Sequence, residues 1–478
     1  MTDPPPTATS RSWWADQRSP DEQGHKPLTA RVPASRSRAV KTRWLRKSRA
    51  AWFALALPIG GCGGEPIGPD PATLRERFEL RALGAIPYPS DNLPKPERIE
   101  LGRLLFFDPI LSGEKDVACG TCHHPQFTFA DGRQLAAGVS GVGLGPARTL
   151  SVSAVTGEPI GHVPRNTPTV LNTAFAADLN GVPSPLAPMF WDGRAVGLEG
   201  QAIIPIASRI EMRGDAFPGD EAEAGAVALD SILARLRSIP DYVDRFRAAF
   251  PEEAGGGGEA ISTSTLARAI AAYERELVTR NSAFDRFVDG DDDALTVAQR
   301  EGLELFFTKA KCTTCHRGPM FSNFQFLVTG VPRVGPGKSV IPGDDTGREE
   351  HTGRLGDRYR FRVPSLRNVE FTAPYMHAGV FNTLEQVLRF YNDGATPRHD
   401  RVTDDMLEVI LRLPLELSDE ELTFLLEFLK SLTDSGSQLD PLLLTAPAAV
   451  PSGLTPVFGV KGVPAPHTTA EASRSGTW

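Results

Sequence analysis

Cys119-Gly120-Thr121-Cys122-His123 and Cys312-Thr313-Thr314-Cys315-His316 are two copies of the pattern C-x-x-C-H. This pattern is the attachment signature of a c-type haem, in which both thiols bond to the porphyrin edge and the histidine becomes an axial ligand of the iron. Two zinc half-sites or two redox dithiols would explain the cysteines, but not the histidine that follows each pair. The sequence therefore predicts two covalently bound haem c groups.

The charge balance is mildly acidic, with 59 Asp and Glu against 51 Lys and Arg and a net charge of −8 in 478 residues. An acidic chain is not typical of nucleic-acid binding, so we expect no nucleic-acid partner. Acidity is compatible with a basic redox partner. Four of the five cysteines lie in the two motifs, so the chain has no disulfide framework.

Residues 1–61 resemble an export leader. A basic stretch at residues 41–49 precedes an apolar run at residues 50–59, which is too short to span a bilayer, and Gly60-Gly61-Cys62 follows. We therefore expect a periplasmic protein. The end of the run also resembles a bacterial lipobox, which would give Cys62 a lipid anchor; an ordinary signal peptide with an incidental Cys62 is the alternative. Residues 62–90 are interpreted as a linker.

An internal repeat surrounds the two motifs, because G-x-x-L-F-F occurs at residues 102–107 and again at residues 302–307. Apolar spacing predicts further helices over residues 262–279, 383–391 and 418–432. Strand patterns are sparse, while Gly and Pro number 45 and 41. We predict a mostly α fold with long irregular loops and two c-type cytochrome domains, residues 91–260 and 261–435, followed by a disordered tail, residues 436–478.

The region from about residue 101 to residue 430 resembles the bacterial diheme cytochrome c peroxidases and the related MauG enzymes. The resemblance rests on the two haem motifs and on four further stretches. These are Asn166-Thr167-Pro168-Thr169-Val170, Phe190-Trp191-Asp192-Gly193-Arg194, Pro364-Ser365-Leu366-Arg367-Asn368 and Thr372-Ala373-Pro374-Tyr375-Met376-His377. It implies a peroxidatic haem in the N-terminal domain and an electron-transfer haem in the C-terminal domain.

The resemblance also implies roles at the first haem, whose iron His123 would bind. Trp191 would lie between the haems and relay electrons. Gln201, Pro205 and Glu211 would occupy the open distal face, with Glu211 as the acid–base group for peroxide cleavage and Gln201 as a hydrogen-bonding group. His162 resembles a loop histidine that can bind the resting iron, although its loop is shorter here; a solvent-exposed histidine is the alternative.

At the second haem, whose iron His316 would bind, the sequence departs from the peroxidases. Tyr391 stands fourteen residues after His377, where those enzymes usually have a methionine and MauG-like members a tyrosine. A phenolate is a hard anionic ligand that favours oxidised iron. The alternative is a core tyrosine, with Met376 or Met406 as ligand. The resemblance further implies a calcium ion between the domains, held by Asn166, Thr372 and Pro374.

These features together predict an exported diheme peroxidase that reduces hydrogen peroxide to water. We expect its electron donor to be a small protein such as a cytochrome c or a cupredoxin. One alternative is a MauG-like enzyme that oxidises residues of a protein substrate through a high-valent state. A second is an electron-transfer cytochrome without catalysis, which would not need Glu211, Gln201 and Pro205.

Overall fold

The computed structural model describes residues 68–255, 259–334, 343–434, 436 and 438–456, so the predicted leader and Cys62 lie outside the described residues. The described chain is mostly helical. None of its helices is long and apolar enough to cross a membrane. The helices are α1 Pro71–Arg77, α2 Pro96–Phe107, α3 Cys119–Cys122, α4 Gly197–Ala207, α5 Glu221–Arg237, α6 Pro240–Ala249, α7 Pro251–Gly255, α8 Thr263–Glu276, α9 Ala283–Val288, α10 Val297–Phe307, α11 Glu349–Thr352, α12 Leu384–Asn392 and α13 Asp419–Lys430.

Two short antiparallel strand pairs provide the sheet content of the described residues. Strand β1 (Pro188–Met189) pairs antiparallel with β2 (Ala195–Val196), and β3 (Phe326–Leu327) pairs antiparallel with β4 (Phe361–Arg362). The predicted mostly α class is therefore confirmed. Long loops with single helical turns connect the elements, which is consistent with the high Gly and Pro content.

The repeated G-x-x-L-F-F segments form the same helix crossing twice. A Cβ atom on Gly102 of α2 would lie 1.9 Å from the Ala269 carbonyl oxygen of α8. A Cβ atom on Gly302 of α10 would lie 1.9 Å from the Phe424 carbonyl oxygen of α13. Only glycine permits these two backbones to approach so closely. The chain thus has two halves with the same central helix pair.

The first apolar core includes α8, which the predicted boundary at residue 260/261 had assigned to the second domain. Leu266, Ile270 and Tyr273 are buried in the same cluster as Leu105 and Phe106 of α2. The reason for the difference is that α8 closes its own half by packing on α2, as α13 closes the second half on α10. Helix α8 therefore contributes to the first core.

The second core begins earlier in the chain than predicted. Leu74 of α1 is buried in it, and Phe78 stacks on Phe307 of α10 with ring centroids 4.5 Å apart. We call residues 71–80 the N-terminal arm. The predicted linker at residues 62–90 therefore contains a packed segment, because Leu74 and Phe78 remove apolar surface of α10 from water.

Residues 438–456 also differ from the prediction, which placed them in a disordered tail. Leu443 and Leu444 pack against the first core, and the Tyr273 hydroxyl donates to the Leu443 carbonyl at 2.7 Å. The Ser452 hydroxyl donates to Asp108 at 2.7 Å. We call this segment the C-terminal strap. The chain from about residue 435 onward is rich in Pro, Ala, Ser, Thr and Gly, which is why composition alone indicated disorder.

Candidate functional site

The first C-x-x-C-H motif forms a single helical turn, α3, that orients its histidine. The His123 backbone N–H donates to the Cys119 carbonyl at 2.9 Å. The Phe129 carbonyl oxygen lies 3.0 Å from His123 Nδ1, and because a carbonyl only accepts, Nδ1 carries the proton. Burial lowers the pKa of His123, so the ring is neutral at pH 7. Its Nε2 lone pair is then available to an iron ion.

The second motif repeats this arrangement with different residues. The His316 backbone N–H donates to the Cys312 carbonyl at 2.8 Å, and His316 Nδ1 donates to the Phe321 carbonyl at 2.8 Å. Burial lowers the pKa of His316 to about 4. Both motifs therefore present a neutral imidazole whose tautomer is set by a backbone carbonyl, as a haem ligand requires.

The thiols of the two motifs lie in surroundings that disfavour thiolates. Burial raises the pKa of Cys122 and Cys312 to about 12 and that of Cys315 to about 11, and it also raises the pKa of Cys119. Redox dithiols instead have a thiol with a lowered pKa. The apolar setting opposes the redox-dithiol alternative and suits the thioether bonds of a covalent haem.

One cavity brings together most of the residues predicted at the first haem. Its volume is about 640 Å³, and Cys119, Cys122 and His123 line it. This volume lies within the range of cofactor pockets, roughly 300–1,000 Å³. Two thiols and a neutral imidazole in one pocket of this size fit a haem c. The same cavity is lined by all four predicted catalytic residues: Trp191, Gln201, Pro205 and Glu211.

Helix α4 positions two of these residues on one face. Gln201 and Pro205 are four residues apart, so they are neighbours on the helix surface. Pro205 has no N–H, so the Gln201 carbonyl lacks its usual helical partner. A pyrrolidine ring has no lone pair that can coordinate iron, so Pro205 itself is not an iron ligand.

Glu211 lies in a π-helical turn, Arg209–Arg213, that neighbouring backbone fixes in place. The Val139 N–H donates to the Glu211 carbonyl at 2.8 Å, and a Cβ atom on Gly138 would lie 2.6 Å from that carbonyl oxygen. The buried Arg148 donates to the Gly138 carbonyl at 2.6 Å and to the Ala137 carbonyl at 2.6 Å. Arg148 therefore supports the loop on which Glu211 rests.

Trp191 lies where the two halves meet. Its indole N–H donates to the Asn166 carbonyl at 2.9 Å, and its own carbonyl accepts from the N–H of Arg362 in β4 at 2.8 Å. Next to it, the guanidinium of the buried Arg165 donates to one Asp192 oxygen at 2.6 Å. It also donates to both carboxylate oxygens of Asp345, each at 2.7 Å. Burial alone would lower the pKa of Arg165, but the two carboxylates raise it.

Tyr391 of α12 lies beside the second motif. Burial raises the pKa of its phenol, and the nearby Cys315 and Cys312 raise it further. The Tyr391 hydroxyl is 4.0 Å from Met376 Sδ. Met406 belongs to a separate apolar cluster with Val402. Of the two methionines considered as alternative ligands, Met376 is the one that contacts Tyr391.

His162 does not line the cavity, although Val163 and Pro164 do. Its Nδ1 lies 3.4 Å from the Ala136 carbonyl. The structure therefore does not bring His162 to His123 and the two cysteines.

The residues predicted for calcium are partly brought together. The Asn166 backbone N–H donates to the His377 carbonyl at 2.7 Å, which joins Asn166 to the segment that contains Thr372 and Pro374. The Asn166 side-chain amide donates to the Arg133 carbonyl at 2.8 Å. The described residues contain no group of three or more His, Cys, Asp or Glu side chains that could hold a metal. Any ligands here would be carbonyl, amide and hydroxyl oxygens, which calcium accepts.

Sequence reasoning did not identify three buried charged residues of this site. Arg148 supports the Glu211 loop, Arg165 joins the halves, and Glu274 of α8 lines the cavity. Only Glu274 had a local signal: it follows the buried Ile270 by four residues and so lies on the apolar face of its helix. The partners of the two arginines lie too far along the chain for a pattern to indicate them.

Comparison with known proteins agrees with this geometry. Residues 96–293 match the family model described as di-haem cytochrome c peroxidase. The methylamine utilization protein MauG of Methylorubrum extorquens is 32% identical over 380 residues, which cover 79% of this chain and 88% of that protein. The cytochrome c551 peroxidase of Pseudomonas aeruginosa is 38% identical over 280 residues, covering 59% and 67%. A solved structure of a MauG-like protein associated with microbial copper homeostasis superposes with a TM-score of 0.58 at 28% identity, covering 77% of this chain and 96% of that one.

Proposed function

The chain belongs to the di-haem cytochrome c peroxidase and MauG family of oxidoreductases, and from this premise we propose that it reduces hydrogen peroxide to water at its first haem. A second haem, held by Cys312, Cys315 and His316, would supply the electrons. The observation that carries the proposal is the shared cavity, in which Glu211, Gln201 and Pro205 line the same space as His123 and its two cysteines.

Cys119, Cys122 and His123 would hold a haem, and that haem would supply the electrons that split the peroxide O–O bond. Reduction of one hydrogen peroxide to two waters takes two electrons and two protons. Glu211 accepts a proton from the near oxygen of peroxide and returns it to the leaving oxygen, which departs as water. The π-helical turn and the Gly138 loop fix the Glu211 backbone, so the carboxyl needs little reorganisation.

Gln201 and Pro205 prepare the cavity for the small substrate. The Gln201 amide donates a hydrogen bond to peroxide and orients it toward Glu211. Pro205 offers no ligand atom, so it leaves space for peroxide and turns an apolar ring toward it. An electron carrier would not need an acidic side chain in an open cavity, which argues against that alternative.

Trp191 is proposed as the electron relay between the halves. Its side chain lines the first cavity, and its backbone is bonded to β4 of the second half. The Asn166 hydrogen bond holds the indole in one orientation. A small redox protein, a cytochrome c or a cupredoxin, is the proposed donor to the second haem, which His316 would bind.

Glu211→Gln tests the proposal. This change keeps the size of the side chain but removes its ability to take a proton, so peroxide cleavage should slow by roughly 10²–10⁴-fold. Stopped-flow mixing of the reduced holoprotein with peroxide measures the rate. Glu223→Gln, an exposed position on α5, is the matched control and should react like the wild type. An unchanged rate in Glu211→Gln would remove Glu211 from the mechanism.

A second candidate function is MauG-like oxidation of residues in a protein substrate. Tyr391 favours it, since its partly buried phenol lies near Cys312 and Cys315. A phenolate at the second haem would stabilise oxidised iron and allow two oxidising equivalents to be shared by the haems. Incubation with peroxide and a candidate protein, followed by mass spectrometry of its oxidised residues, distinguishes this activity from peroxide reduction.

The proposal also includes a calcium site and a cellular location. Asn166, Thr372 and Pro374 are the proposed calcium ligands, supported by the hydrogen bond that joins Asn166 to the 372–377 segment. Metal analysis after dialysis against a calcium chelator tests this site. The leader pattern supports a periplasmic location, and Cys62 is the proposed lipid anchor; mass spectrometry of the mature N-terminus tests it.

A further inference from the structure

Glu274 is a buried carboxyl in the first haem cavity to which the proposed mechanism gives no role. It lies on α8 and is 4% exposed. It lines the same cavity as Cys119 and His123. Its Oε2 is buried and has no hydrogen-bond partner. An isolated buried carboxylate is costly, so such a group is favoured in its protonated form unless positive charge is nearby.

The internal repeat shows that the fold does not require a carboxyl at this position. Gly102 contacts Ala269 and Tyr273 of α8, while Gly302 contacts Phe424 and Phe428 of α13. Tyr273 therefore corresponds to Phe428, and the next residue, Glu274, corresponds to Leu429. Leu429 is 5% exposed and packs in the second apolar core. The first half thus has an ionisable group where the second half has an ordinary core residue.

The Glu274 carboxyl is electrostatically close to the haem attachment site. After burial, it is the largest influence that raises the pKa of the Cys119 thiol. Burial raises the pKa of Glu274 itself to about 8; Arg275 on the same helix lowers it, and Glu199 of α4 raises it. Arg275 is already paired with Glu199 at 2.6 Å, so it neutralises Glu274 only in part.

The charged residues of α2, the other helix packed on α8, are engaged elsewhere. Arg103 pairs with Glu100 on the same helix, and Arg98 pairs with Glu252 of α7. With these partners in place, a haem bound in this cavity would add a charge near Glu274 that changes with the oxidation state of its iron.

We propose that Glu274 is a proton-holding residue coupled to the first haem: it keeps its proton while that haem is reduced and releases it when that haem is oxidised. The inference rests on the haem assignment of the proposed function, not on peroxide turnover. Glu274 is a positioning residue: it acts on the haem through its charge and does not touch peroxide.

When the first haem gives up one electron to an acceptor, the Glu274 O–H bond breaks, the proton passes to water, and the carboxylate offsets the added positive charge. When an electron returns from the donor protein, the carboxylate takes one proton back from water. One proton therefore moves for each electron at this haem.

The test is a redox titration of the first haem in the full holoprotein, without peroxide, from about pH 6 to pH 9. This interval covers the pH values at which a buried carboxyl group with a raised pKa titrates. The wild-type midpoint potential should fall as the pH rises, because removal of the proton favours the oxidised haem. Glu274→Gln and Glu274→Leu, the second copying Leu429, should lose most of this slope. Glu276→Gln on the same helix should keep the wild-type slope.

The outcomes separate this inference from the proposed function. A Glu274→Gln protein with two haems and an unchanged slope overturns the inference, whatever its peroxidase activity. A lost slope in a protein without peroxidase activity supports the inference and contradicts only the proposed function. If the variants fail to bind haem, a reduced-minus-oxidised infrared spectrum of the wild type decides: a protonated carboxyl band should be present on reduction, and its absence overturns the inference.

Discussion

At the scale of single residues, Tyr391 distinguishes the two enzymatic functions. Tyr391→Met replaces a hard oxygen ligand with a thioether, which favours ferrous iron and should raise the potential of the second haem. A redox titration of both forms measures the change. The variant should then need prior reduction before it reacts with peroxide, as a peroxidase with a methionine ligand would.

Tyr391→Phe is the control for this prediction, because it keeps the ring and removes only the oxygen. Met376 Sδ lies 4.0 Å from that oxygen, so Tyr391→Phe also tests whether Met376 can replace the phenol as ligand. A methionine–iron charge-transfer band in the wild type, or an unchanged potential in Tyr391→Met, would show that Tyr391 is only a core tyrosine.

The sequence predicted residues whose chemistry is local and did not predict those whose partners are distant. The two cysteines and the histidine of each motif lie within five positions, so their function is readable from spacing. Arg165 and Asp345 are 180 positions apart and meet only in the folded chain. Arg148 likewise acts through loop carbonyls that carry no side-chain signature.

At the scale of helices, the crossing of α2 and α8 depends on Gly102. Gly102→Ala places a methyl group against the Ala269 carbonyl, so one helix must shift, and we expect a loss of about 1–3 kcal/mol in unfolding free energy. Thermal unfolding of the holoprotein measures this effect. Gly200→Ala on α4 is the control: its methyl group would meet no atom within 4 Å, and it should stabilise the helix by up to about 1 kcal/mol. Equal midpoints for the two variants would contradict the close crossing.

Helix bounds were predicted well, whereas the core to which a helix belongs was not. The apolar spacing over residues 262–279 predicted a helix that the structure has at Thr263–Glu276, with Ser262 as its capping residue. Apolar periodicity shows that one face of a helix is buried, but it does not show which other element covers that face. Helix α8 packs on Gly102 of a helix more than 160 positions earlier, and no local pattern indicates that contact.

At the scale of the whole molecule, Arg165 joins the two halves through a buried ion pair. Arg165→Gln removes the arginine from the buried Asp345, while Asp192 keeps only Arg194, and this loss should cost about 3–5 kcal/mol. Arg245→Gln, which breaks the exposed pair with Asp241 on α6, is the control and should cost at most about 1 kcal/mol. Denaturant unfolding followed by haem absorbance measures both. Equal costs would show that Arg165 does not tie the halves together.

The same ion pair predicts a dependence on acid. Burial alone would raise the pKa of Asp345, but Arg165 lowers it below its usual range. A carboxyl with a lowered folded-state pKa contributes its stability above the unfolded-state value, about 3.9, and loses it as the pH falls through the folded-state value. Wild-type stability should therefore decline below about pH 4, and Arg165→Gln should show a smaller decline. An identical acid profile for the two proteins would contradict this linkage.

The N-terminal arm and the C-terminal strap cross over: residues 71–80 complete the second core, and residues 438–456 complete the first. The apolar core of each half is therefore covered in part by a segment from the opposite end of the chain. No single cut can release two self-sufficient modules, because a break after residue 277 leaves each product without the segment that shields its apolar surface. The first apolar core therefore closes only after the whole second half has been synthesised, because residues 438–456 follow that half in the chain.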